Sequence, residues 1–125
     1  MNATREDIAT IMIVDDEPYI REEISEYLAY KGYKTICCDD GLMAQEAFSQ
    51  NNIDVLITDV KMPKCDGHEL IRKIRQKSPN IPIIALTGHY AERDLDELKD
   101  DGATRTVLKP MKLTELLCNI EEIIH

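Results

Sequence analysis

Five short apolar runs recur along the chain: Thr10–Val14, Lys34–Cys38, Ile53–Ile57, Ile81–Leu86 and Thr104–Leu108. Four of them are β-branched, brief and without clean alternation, which predicts strands buried on both faces, and Lys34–Cys38 is a weaker strand. Helical spacing fills the intervals. Ile20, Ile24, Tyr27 and Leu28 follow Glu17-Pro18 and stop at Gly32, with the proline suited to a first helical turn. Leu42, Ala44, Ala47 and Phe48 lie between Asp39-Asp40-Gly41 and Asn51-Asn52. Leu70, Ile71 and Ile74 mark a helix to about Lys77, broken by Ser78-Pro79-Asn80. A mostly charged segment with only Leu95 and Leu98 ends at Asp101-Gly102, and Leu113, Leu116, Leu117, Ile120 and Ile124 define the last helix. Strands alternating with helices predict an α/β fold, a parallel sheet covered on both faces.

Polar residues follow four of the runs directly: Asp15-Asp16, Asp59, Thr87 and Lys109. In a parallel sheet the carboxyl ends of all strands share one edge, and ligand sites of open α/β sheets form there. Three carboxylates brought together repel, because a like charge disfavours ionisation. A divalent cation among them relieves this, and an oxygen-only donor set suits Mg²⁺ better than zinc. With Mg²⁺ and the Lys109 ammonium, three negative charges are balanced. A cleft of this kind suits phosphoryl groups, whose equatorial oxygens the metal and the lysine neutralise and to which a threonine hydroxyl donates. No serine, cysteine or histidine is placed as nucleophile, so an aspartate is the natural acceptor. Singly, each residue has a plainer reading. Asp15-Asp16-Glu17 also suits an acidic helix start, Asp59 a turn before Met62-Pro63, Thr87 a turn hydroxyl and Lys109 a solvated strand end. Only the joint placement at one sheet edge favours the cleft.

Composition narrows the function classes. At 125 residues the chain is expected to be one domain, with its core at about residues 8–124. A formal net charge of −9 argues against nucleic acid and anionic membrane as partners. No apolar stretch approaches the roughly 20 residues of a membrane span, and Met1–Asp7 has no signal-peptide core, so a cytoplasmic location is expected. The four cysteines, Cys37, Cys38, Cys65 and Cys118, fit neither a disulfide framework nor a zinc pattern. They read as reduced thiols, with Cys37 or Cys38 packed in a strand, Cys118 on a helix, and Cys65 in a loop as the one to test for reactivity.

The motifs Ile13-Val-Asp-Asp-Glu-Pro18, Leu56-Ile-Thr-Asp-Val-Lys-Met-Pro63 with Asp66-Gly67, Ile81-Pro-Ile-Ile-Ala-Leu-Thr-Gly88, Gly102-Ala103 and Lys109-Pro110 stand in one order from end to end. In this they resemble a response-regulator receiver domain, the phosphoacceptor module of two-component signalling, over about Ile8 to Ile124. The resemblance implies a flavodoxin-like (βα)5 fold, with a five-stranded parallel sheet ordered 2-1-3-4-5 and helices on both faces. By similarity Asp59 is the phosphoacceptor, served by a histidine kinase or phosphotransfer protein. Asp15 and Asp16 with Asp59 hold Mg²⁺ (or Mn²⁺), the backbone carbonyl of Lys61 adding a ligand. Lys109 contacts the phosphoryl group, Thr87 moves toward it, and the Lys109-Pro110 peptide is cis. Such a domain is not an enzyme beyond assisting its own phosphorylation and dephosphorylation. It acts as a monomer or weak dimer on a downstream protein or through an output domain, by way of a face made by the fourth helix, fifth strand and fifth helix. The chain reads equally as a stand-alone regulator or as a piece of a longer protein.

Two features depart from the family pattern. The position three residues before the lysine, usually aromatic, is Thr106, and Thr104 and Arg105 replace residues that are often acidic. Tyr90 is a candidate to take over part of the aromatic role. Lys61 and His89 match positions that tune the lifetime of the phosphorylated state, and a comparatively slow loss of phosphate is expected. Rival readings fit less well. A haloacid-dehalogenase-like phosphatase wants D-x-D and a cap domain, whereas the aspartates here are adjacent and the chain has no room for a cap. A flavodoxin-like electron carrier wants a Ser/Thr/Gly-rich phosphate loop where Asp15-Asp16-Glu17-Pro18 would repel the FMN phosphate. A receiver-like interaction module that is never phosphorylated would not need the complete pocket.

Overall fold

A computed structural model describes residues 8–62, 64–88 and 92–124. Pro63, His89 and Tyr90, together with Met1–Asp7, lie outside the described residues. Strands and helices alternate as β1 (Thr10–Val14), α1 (Pro18–Tyr30), β2 (Lys34–Cys38), α2 (Gly41–Gln50), β3 (Val55–Asp59), α3 (Gly67–Lys77), β4 (Ile83–Thr87), α4 (Glu92–Asp101), β5 (Arg105–Leu108) and α5 (Leu113–Ile123). All neighbouring strands pair in parallel, in the order β2-β1-β3-β4-β5. This is the expected flavodoxin-like sheet.

The two faces of the sheet are separated by strand alternation. Met12, Val14, Leu56, Ile83 and Ala85 pack against α2, α3 and α4 through Ala44, Leu70, Ile71, Ile74 and Leu98. Ile11, Ile13, Val55, Ile57, Ile84 and Leu86 pack against α1 and α5 through Ile24, Leu28, Leu116 and Ile120. Two helices begin on aspartate caps. Asp40 Oδ1 accepts from the Met43 N–H at 2.8 Å, and Asp66 Oδ1 accepts from the Glu69 N–H at 2.9 Å.

Three strands start later than their apolar runs. Asp54 leaves the run of β3 because its carboxylate accepts from the Thr10 N–H at 2.7 Å and its own N–H bonds the Thr10 carbonyl at 2.8 Å. Pro82 has no N–H for the ladder, so β4 begins at Ile83. Thr104 bonds Ile83 with its side-chain oxygen at 2.9 Å, and β5 begins one residue on. At the sheet edge β5 is not buried on both faces as expected: Arg105 and Thr106 are half-buried and Leu108 is exposed.

The cysteine readings divide. Cys38 is packed in β2, while Cys37 and Cys118 are exposed. Cys65, the one thiol singled out to test for reactivity, does lie in the β3–α3 loop but is only 1% exposed, which argues against reactivity there. Burial, then the nearby Glu69 charge, pushes its thiol up, and Gln45 Nε2 donates to Sγ at 3.3 Å. Burial likewise pushes the Cys38 thiol up to about 11.

Candidate functional site

Because all five strands run the same way, the residues at the ends of β1, β3, β4 and β5 meet at one edge. Asp15 follows β1, Asp59 ends β3, Thr87 ends β4 and Lys109 follows β5. One carboxylate oxygen from each of Asp15, Asp16 and Asp59 lies within 4.8 Å of the others. The Lys109 ammonium reaches across the sheet to Asp59 Oδ1 at 3.1 Å and to Asp15 Oδ2 at 3.5 Å. Asp16, Glu17, Asp59, Lys61, Thr87, Gly88 and Lys109 line the cleft, which encloses about 300 Å³. The structure thus brings Asp15, Asp16, Asp59, Lys61, Thr87 and Lys109 to one edge, while His89 lies outside the described residues. The Lys61 side chain is exposed at the cleft mouth, and among the described residues the ion pairs of the cleft belong to Lys109.

The acidic residues differ in how they are held. Asp15 is fully buried, with Oδ1 accepting from the Glu17 N–H at 2.9 Å and its own N–H donating to the Cys38 carbonyl at 3.2 Å. Asp59 is 8% exposed, and its Oδ1 also accepts from the Val60 N–H at 2.9 Å. Asp16 is exposed at the mouth. Thr87 is buried beside them, and its carbonyl accepts from the Lys109 N–H at 2.8 Å, so β4 sets where the lysine begins. The Lys109-Pro110 peptide is cis, as expected.

The electrostatics follow from this crowding. Burial raises the Asp59 carboxyl above its usual range; the Lys109 ammonium opposes that and the Asp15 charge adds to it. Burial alone would depress Lys109, but Asp59 first and then Asp15 outweigh it and hold the ammonium above its ordinary value. The cleft thus keeps Lys109 charged and strains to keep Asp59 ionised. Three clustered carboxylate oxygens against one ammonium form a donor set that fits a hard divalent cation of the Mg²⁺ type.

Several supporting groups escape the sequence reading. Thr58, fully buried, donates from Oγ1 to the Asp59 carbonyl at 2.9 Å. Gly67 lets α3 start against the strand end, since a Cβ there would lie 2.5 Å from the Asp59 carbonyl oxygen. Arg21 on α1 donates from Nη1 to the Asp15 carbonyl at 2.7 Å. Of these, only Gly67 left a signal, directly after the capping Asp66.

The sequence profile of the response regulator receiver domain matches residues 11–121. The chain is 33% identical over 115 residues to the response regulator MprA of Mycobacterium leprae, a match covering 92% of this chain and 50% of that protein. It therefore spans about half the length of the curated relatives it matches. Among solved structures, the Vibrio cholerae chemotaxis protein CheY4 is similar with a TM-score of 0.89 and 31% identity, covering 93% of this chain and 98% of that one. The response regulator TrrA of Thermotoga maritima, solved in complex with Mg²⁺ and BeF, has a TM-score of 0.84 and 33% identity, covering 93% and 99%. Sequence, fold and relatives agree, and the chain belongs to the response-regulator receiver family, the signalling receiver domains of two-component systems.

Proposed function

We propose that this receiver unit, spanning about residues 8–124, takes a phosphoryl group on Asp59 from a histidine kinase or phosphotransfer protein in a Mg²⁺-dependent reaction. One observation carries the reading: the Lys109 ammonium lies 3.1 Å from Asp59 Oδ1, while carboxylate oxygens of Asp15, Asp16 and Asp59 lie within 4.8 Å of one another. The TrrA complex with Mg²⁺ and BeF supports the same reading by similarity.

Asp15, Asp16 and Asp59 would hold the cation, with the Lys61 carbonyl as a further ligand. Mg²⁺ there (Mn²⁺ being the natural substitute) supplies charge neutralisation at the phosphoryl oxygens. The chain's own groups do the rest. An oxygen of the Asp59 carboxylate forms the new bond to phosphorus as the bond from phosphorus to the donor imidazole nitrogen breaks, its electron pair returning to the nitrogen. The Val60 N–H and Lys109 fix the attacking carboxylate in advance. Lys109 then moves its charge from the carboxylate to the phosphoryl oxygens, and the Thr87 hydroxyl donates to them. The acyl phosphate biases the surface formed by α4, β5 and α5, which passes the state to a downstream protein or an output domain. The unit works as a monomer or weak dimer in the cytoplasm, without nucleic acid or membrane as its own partner. Beyond assisting gain and loss of its own phosphoryl group, it has no enzymatic turnover.

The test is intact-mass analysis after incubation with a small-molecule phosphodonor and Mg²⁺. One phosphoryl group should add to the wild-type chain, and none to Asp59→Asn or to wild type in chelator. An adduct that persists in Asp59→Asn would overturn the assignment.

A further inference from the structure

We propose that Arg21 is a positioning residue for the acidic pair, holding the Asp15–Asp16 peptide so that Asp16 presents its carboxylate to the divalent cation. The inference rests on the metal reading of the cleft given above. It starts from an inequality among the three carboxylates. Asp15 and Asp59 are each fixed by side-chain bonds, to the Glu17 N–H and Lys109 in one case and to the Val60 N–H and Lys109 in the other. Among the described residues no hydrogen bond or ion pair holds the Asp16 carboxylate, which is exposed at the cleft mouth. Its place therefore depends on the backbone that carries it.

That backbone is held at two points from outside the turn, and only one of them fixes the peptide leading to Asp16. The Asp15 N–H is tied to β2, at 3.2 Å from the Cys38 carbonyl, and the Asp15 carbonyl accepts from Arg21 Nη1 at 2.7 Å. A carbonyl oxygen fixes the plane of the peptide that follows, here the peptide joining Asp15 to Asp16. Arg21 is itself anchored, half-buried in the first turn of α1, where its N–H donates to the Glu17 carbonyl at 3.1 Å. The guanidinium thus ties the helix to the turn, and the charge-assisted bond is of the stronger kind.

Charge and geometry predict opposite signs, which makes the role testable. A cation beside a metal site repels the metal, so removing Arg21 would tighten Mg²⁺ binding if charge alone mattered. Loss of positioning would weaken it, and partners that orient ligands typically cost tenfold or more in metal affinity. Mg²⁺ is titrated calorimetrically into wild type, Arg21→Met, Arg21→Lys and Asp16→Asn at fixed ionic strength, with far-ultraviolet circular dichroism as a check on folding. Arg21→Met should raise the Mg²⁺ dissociation constant about tenfold, and Arg21→Lys, which keeps a donor, should recover to within about threefold of wild type. Mg²⁺ bound by Arg21→Met as tightly as by wild type, or more tightly, overturns the proposal, as does an Arg21→Lys protein no better than Arg21→Met. If Arg21→Met does not fold, nitrogen-15 NMR of the wild-type Arg21 side chain decides. Its guanidinium signals should shift and exchange more slowly on Mg²⁺ saturation, and unchanged signals refute the role. A wild type that takes no Mg²⁺, with Asp16→Asn indistinguishable from it, defeats the metal reading itself before any Arg21 variant is compared.

Discussion

Replacing Asp59, the proposed acceptor, should stabilise the metal-free protein. Asp59→Asn removes one of three carboxylates while keeping an oxygen for the Val60 N–H, which Asp59 Oδ1 accepts at 2.9 Å. At the 4.8 Å upper limit of their separation, each carboxylate neighbour repels Asp59 by about 3.5 kcal/mol at an effective dielectric of about 20. The Lys109 ammonium at 3.1 Å returns about 5 kcal/mol on the same basis. The two repulsions exceed the attraction by about 2 kcal/mol, and burial adds to the cost of the charge, in line with a carboxyl raised above its ordinary 3.8. Because that value is raised on folding, the native state binds more protons between 3.8 and the folded value. Wild-type stability in chelator therefore falls as pH rises through that window, and Asp59→Asn loses this slope. For a chain of 125 residues, a gain of about 2 kcal/mol raises the unfolding midpoint by roughly 8 °C. Thermal unfolding followed by circular dichroism at pH 7, in chelator and in Mg²⁺, measures both states. Mg²⁺ at about a hundred times its dissociation constant stabilises wild type by about 2.7 kcal/mol, so the order of the two proteins should reverse. A variant no more stable than wild type in chelator, or an equal advantage in both buffers, refutes the electrostatic account.

Lys109→Met leaves the fully buried Asp15 without its cation; urea unfolding in chelator at pH 7 should show a loss of about 3 kcal/mol. Arg75→Met should cost about 2–3 kcal/mol in the same assay, because its guanidinium donates to the carbonyls of Gly102, Ser78, Pro79 and Ile81 at distances from 2.6 to 3.3 Å. Native thiol titration should show Cys37 and Cys118 reacting quickly and Cys38 and Cys65 only on unfolding; fast modification of Cys65 would contradict its burial. Thr106→Tyr supplies an aromatic on the half-buried fifth strand, and the ratio of partner affinities between the phosphorylated and unphosphorylated protein should rise. An unchanged ratio would show that this position does not carry the signal.

How much was legible depends on how many segments a feature needs. Asp59 needs only its own strand: an apolar run stops, a carboxylate follows, and the parallel rule sends it to the common edge. The same reasoning places Asp15, Thr87 and Lys109, so the cleft was readable from the residues, whereas the sheet order came from the resemblance to receiver domains. Strand starts were not readable, because Asp54 and Thr104 exchange bonds with Thr10 and Ile83, residues distant in sequence. Cys65 was placed in its loop, but its burial needs α2 to pack closely over it, and Gly41 permits that approach: a Cβ there would lie 2.4 Å from the Cys65 carbonyl oxygen. Arg21 and Arg75 were least legible of all. On a helix an arginine reads as part of a solvated face, and nothing in its spacing reveals that it turns inward to a carbonyl. Acceptors of that kind are backbone atoms, which any residue supplies and no motif marks. A receiver's acidic residues can therefore be read from the sequence, whereas the groups that aim them come to light only when the chain has closed around them.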